Sequence, residues 1–188
     1  MSGNSQTSTN DMKLSNKTKI IIALVLVAFG VLSRYLPHLP NFAPIAAIGL
    51  FAGAYLPRRM ALLLPLAAMV VSDVFIGFHG LIFWTWGSFL LIGLFGSLIL
   101  KKNVNVATVL ASSLGASIFF FVVTNFGVWM DGILYPPTLA GLASSYINGL
   151  PFFRNTLMGD VFYATVFFGV YEFALYYGRQ IKTHLAHV

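Results

Sequence analysis

Among the charged residues inside or at the edge of long apolar runs are Arg34, Asp73, Arg154 and Asp160. An ionised group in such a setting costs several kcal/mol unless it is partnered, so each must pair, line water or hold a ligand. His38 in "YLPHLP", His79 in "GFHG", Asn125, Trp129, Asp131 and Asn155 lie towards the same side of the chain's turns, together with Asn41 and Asn148. Mixed charges and amides among aromatic rings are the chemistry of small-molecule recognition. In this reading Arg154 and the carboxylates hold charged or hydrogen-bonding groups of a solute, and aromatic rings stack on a flat one. Thr156, Asp160, Tyr163 and Phe167 share one helical face. A structural ion pair of Asp160 with Arg34 or Arg154 is the competing account. Trp84, Trp86, Trp129, Tyr135 and Tyr146 also suit an interfacial belt. Glu172, towards the opposite side, is read as snorkelling or pairing at the interface.

Other chemistries lack their residues. There is no cysteine, hence no disulfide, thiol nucleophile or thiolate metal site. HExxH, GxSxG and GxxxxGK[ST] are absent from the sequence, which removes the familiar metalloprotease, serine-hydrolase and P-loop ATPase routes. No cofactor and no metal is expected, and the reading is of a non-enzyme. An intramembrane hydrolase or acyltransferase built from Asp73, His79 and Asp160 is the weakest rival. The net charge of +6 is scattered in pairs between apolar segments and forms no basic patch for nucleic acid.

The elements that must position these residues are helices in a bilayer. With 58% hydrophobic and 9% charged residues, the 188-residue chain carries too little charge to cover a water-facing surface. The expectation is an all-α integral membrane protein of six transmembrane helices, at about 20-36, 43-56, 60-78, 81-100, 106-129 and 156-177, most of them near the ~20 residues that cross the hydrocarbon. The second is short, roughly 21 Å at ~1.5 Å per residue. Residues 1-19 read as a disordered cytosolic tail and 179-188 as a second tail. With both termini inside, Lys13, Lys17, Lys19, Arg58, Arg59, Lys101, Lys102, Arg179 and Lys182 face the cytoplasm, nine of the eleven basic residues. This predicts a multi-pass protein of the plasma (inner) membrane. Inner connections are short, whereas 131-151 is a 21-residue outer loop, "DGILYPPTLAGLASSYINGLP". After the break at Pro136 and Pro137, its centre at 139-150 reads as a short surface helix, either a lid or an interfacial helix.

Ala43, Ala46, Ala47, Gly49, Gly53 and Ala54 strip the bulk from the second helix. On a wheel, all of these but Gly49 fall on an arc of about 120°. In lipid, small residues let helix backbones approach closely, and the Ala43/Ala47 and Gly49/Gly53 spacings fit that use. The smooth face serves packing within the bundle or, since it runs into Arg58 and Arg59, docking of another membrane protein.

The run "FAPIAAIGLFAGAYLPRRMALLLPLAAMVVSDVFIGFHG", 42-80, resembles the S components, the substrate-binding subunits of energy-coupling factor vitamin transporters. The likeness covers about a fifth of the chain in motif and the whole chain in plan. "LPHLPNFAPIAAIGLFAGAY", "TNFGVWMDGILYP" and "PFFRNTLMGDVFY" further resemble a family of bacterial membrane proteins without an assigned substrate. The first resemblance implies an S-component-like bundle that captures a water-soluble, vitamin-like nutrient from the extracytoplasmic side. A separate transmembrane coupling protein and ATPases would drive its release. The amino-terminal Met-His motif of the cobalt and nickel members is missing, so a metal substrate is not implied. The rival function is a small multi-pass scaffold that holds no ligand.

Overall fold

The computed structural model describes residues 14–186, and among them every regular element is helical. Most of the expected amino-terminal tail, residues 1–13, lies outside the described residues. The six helices are α1 (Asn16–Tyr35), α2 (Ile45–Tyr55), α3 (Arg58–Ile76), α4 (Ile82–Ile99), α5 (Val106–Met130) and α6 (Leu139–Ala186). Five of them, all but α2, are long and apolar enough to cross a membrane.

Local chemistry sets the ends. Ser15 caps α1, its hydroxyl oxygen accepting from Thr18 N at 3.1 Å, so the helix starts ahead of the first apolar run, which begins at Ile20. Residues 16–19, read from sequence as tail, are therefore its first turn. Asn105 and Thr108 close α5 with a reciprocal capping box. Gly77, at φ 109°, supplies the left-handed residue that ends α3.

α2 is the hub. It is 11 residues long, about 16 Å at ~1.5 Å per residue, and it packs against all five other helices. Nine of its residues, Ile45 to Gly53, are buried. Its approach to α4 is backbone to backbone: a Cβ on Gly53 would lie 2.5 Å from the carbonyl carbon of Gly96, and one on Gly49 3.2 Å from the amide nitrogen of Gly93. Glycine on both helices is what allows that distance. The surrounding helices turn Leu24, Leu63, Phe83, Ile118 and Val170 outwards, the apolar shell a bilayer requires.

α6 differs most from the sequence reading. A single 48-residue helix replaces the surface helix, the break and the separate span at 156-177, and it continues through the expected carboxy-terminal tail as far as Ala186. Pro151 sits inside it. The proline removes one backbone donor, yet antiparallel packing on α5 holds both sides of it: Tyr146 Oη donates to Val122 O at 2.9 Å, and the rings of Phe121 and Phe153 lie 4.8 Å apart.

Candidate functional site

Three polar clusters form where helices meet. The first joins α1, α3 and α4 near one end of the bundle. Arg34, in the last turn of α1, places Nη1 2.6 Å from Asp73 Oδ1, and Trp86 Nε1 donates to Asp73 Oδ2 at 2.8 Å. Asp73 is fully buried and Arg34 largely so. The contact at Oδ1 is ionic and not aligned as a hydrogen bond. Arg34 Nη1 also donates to Ser72 Oγ and, at 3.4 Å, to Met69 O. The carboxylate is thus neutralised by one cation and oriented by one indole, a closed arrangement within the protein.

The second cluster lies at mid-depth between α5 and α6. Asp160 is 3% exposed, and Ser117 Oγ, halfway along α5, donates to its Oδ2 at 2.7 Å. One turn earlier, Ser113 Oγ is buried without a hydrogen-bond partner. Thr156, one turn before Asp160, is buried and donates to Phe152 O at 3.0 Å. The one ion pair among the described residues is Arg34–Asp73, so Asp160 has no cation among them and the alternative account, its pairing with Arg34 or Arg154, does not form.

The third cluster lies at the opposite end from Arg34. Tyr55 Oη donates to Glu172 Oε1 at 2.6 Å, and the Tyr55 and Tyr171 rings are 4.2 Å apart. Beside them opens a cleft of about 790 Å³ whose walls include Lys19, Lys101, Lys102 and Arg179. A second, apolar groove of about 310 Å³ runs between α4 and α5 over Leu50 and Ile92. Neither cavity is lined by any of the ten residues expected to bind a solute.

Those ten fall into separate places. Arg34 and Asp73 meet, and Asp160 stands apart at mid-depth. His38 is exposed, with Nδ1 2.6 Å from Leu36 O, and His79 is exposed in the α3–α4 turn. Asp131 is exposed at the end of α5 beside Gly80. Trp129 Nε1 donates to Pro136 O at 3.1 Å and Thr138 O at 3.2 Å, tying down the connection to α6. Asn125 donates to Phe121 O on its own helix at 2.8 Å and abuts Gly149. Arg154 is exposed, and Asn155 half-buried, on α6. The six small residues lie within or beside the core: Ala46, Ala47, Gly49 and Gly53 are buried inside the bundle, Ala43 and Ala54 half-buried against it. Sequence reading missed Ser113 and Ser117, whose signal is their spacing of four in an apolar helix, and took Lys101 and Lys102 as topology alone.

Residues 14–183 match the model of DUF6580, a family of unknown function. No curated protein and no solved structure matches the chain.

Proposed function

Because the chain belongs to DUF6580, a family of unknown function, membership assigns it no activity, and we propose from its own residues that it captures a small water-soluble solute within the membrane. On this reading it is a six-span protein of the plasma membrane, α2 being a short sixth span, with both termini cytoplasmic. Two observations support that orientation. Leu14, Lys19 and Arg179 line one cleft, so the two ends of the described chain share one end of the bundle. Nine of the eleven basic residues then face the cytoplasm.

The observation that carries the proposal is Asp160, a nearly fully buried carboxylate at mid-depth with one serine donor and no cation, beside the unpartnered hydroxyl of Ser113. An intramembrane carboxylate so placed marks a functional site by default. Asp160, Ser117 and Ser113 would bind the solute's polar groups, and Asn125, Trp129, Arg154 and Asn155 would stand on the route from the outer face. The full assignment is the substrate-binding subunit of a vitamin-like nutrient importer, not an enzyme, whose release step belongs to a separate coupling protein and ATPases.

Thermal-shift screening of the purified chain against vitamins and nucleobase-like compounds tests this. A ligand at about 100 times its Kd stabilises the folded state by roughly 2.7 kcal/mol. Asp160→Ala should abolish that shift while the protein still inserts, and Trp129→Ala should weaken it. A screen with no hit, or a hit bound equally by Asp160→Ala, overturns the assignment. The closed Arg34–Asp73 pair favours a second reading, a ligand-free scaffold, for which the screen would be blank and both variants fully folded.

A further inference from the structure

The tyrosine-walled cleft at the end of the bundle gathers Lys19, Lys101, Lys102 and Arg179 around a single carboxylate, Glu172. None of the four cations forms an ion pair among the described residues. Glu172 is held by the Tyr55 hydroxyl at 2.6 Å. The excess is therefore three positive charges, four cations less one carboxylate, at one concavity of about 790 Å³. A rule that keeps basic residues on one side of the membrane accounts for their presence at this end. It does not account for their convergence, since Arg58 and Arg59 satisfy the same rule at the same end and stay outside the cleft.

The corner that carries the lysines is braced. Thr108 Oγ1 lies 2.9 Å from Asn103 O and 3.0 Å from Asn105 N, and Asn105 Nδ2 donates to Asn103 Oδ1 at 3.2 Å. α6 runs past the bundle and brings Arg179 to the opposite wall. Leu56, Val104 and Leu175 add apolar lining.

We propose that this cleft binds a phosphate-bearing anion through Lys19, Lys101, Lys102 and Arg179. Cations on three separate elements suit a compact dianionic or diffuse anionic group, and lysine serves phosphate as a point charge. The apolar lining fits the phosphate of a lipid headgroup, with its glycerol and upper chains against the half-buried Val104 and Leu175. The proposal does not rest on solute capture at Asp160.

The test uses the full chain in phosphatidylcholine nanodiscs. One arm adds phosphatidic acid and the other inorganic phosphate, each titrated with binding read by native mass spectrometry and thermal shift. Lys101→Ala/Lys102→Ala should weaken phosphatidic acid binding about thirty-fold, each lysine contributing roughly a factor of five near an anionic group. Lys101→Arg/Lys102→Arg should retain it. Arg58→Ala/Arg59→Ala, which removes the same charge outside the cleft, should leave it within about threefold, as screening of separated surface charges dictates. Saturable binding of inorganic phosphate that depends on the same lysines assigns the site to a free anion and supports the shared chemistry. If the lysine variant fails to fold, exposed Arg179→Ala replaces it, with loss of binding again expected. No binding in either arm, or equal losses in the cleft and Arg58/Arg59 variants, overturns the proposal.

Discussion

Asp73 and Asp160 are the same residue type at similar places in apolar runs, and the fold gives them opposite circumstances. Asp73 has a cation and an indole donor, whereas Asp160 has one serine. Removing Arg34 alone, as in Arg34→Met, should cost about 3–5 kcal/mol, because it strands a buried carboxylate. The double variant Arg34→Met/Asp73→Leu should recover most of that loss. Unfolding in mixed micelles measures both, and a double variant no better than the single one would argue that the pair does more than neutralise itself. Asp160→Asn keeps an acceptor for Ser117 and should change stability by only about 1 kcal/mol, so any larger effect on ligand binding separates recognition from folding. The sequence shows that these acids need partners. It does not show which, since Arg34 reaches Asp73 through the packing of α1 on α3, a contact 39 positions apart in the chain that no local spacing encodes.

At the scale of the helices, the small-residue stretch of α2 was legible as a close-packing face, but not what it packs against. That depends on Gly93 and Gly96, which read in sequence as two more glycines in a membrane helix. Gly53→Leu should lower stability by ~3 kcal/mol or more or prevent folding, since its side chain would enter the α4 backbone. Gly115→Ala, where nothing lies within 4 Å, should be tolerated. Size-exclusion profiles and melting temperatures of the two variants test the contrast, and equal tolerance would mean that α2 and α4 are less tightly apposed. α6 was misdivided for a definable reason: Pro151 and the preceding polar stretch mimic a loop, while the α5 surface that keeps the helix continuous is distant in sequence. Pro151→Ala should accordingly leave the melting temperature unchanged or raised, and a fall would show that the proline is required.

For the molecule as a whole, the helical class and the number of helices were readable because hydrophobic length is a one-dimensional signal. Depth was not, and α2 shows why: its composition suits a span, yet its 11 residues cover about half the hydrocarbon at ~1.5 Å each. The proposed orientation is open to direct measurement, because the chain contains no cysteine to give background. In intact cells an impermeant thiol reagent should label His79→Cys and spare Arg59→Cys, and the reverse pattern would invert the topology. The uninterrupted α6 has a mechanical implication. A rod of 48 residues, about 72 Å long at ~1.5 Å per residue, joins the Trp129 end of the bundle, the Asp160 level and the opposite end, where Arg179 lines the cleft. A rotation imposed at that end is carried to the interior carboxylate along one unbroken helix.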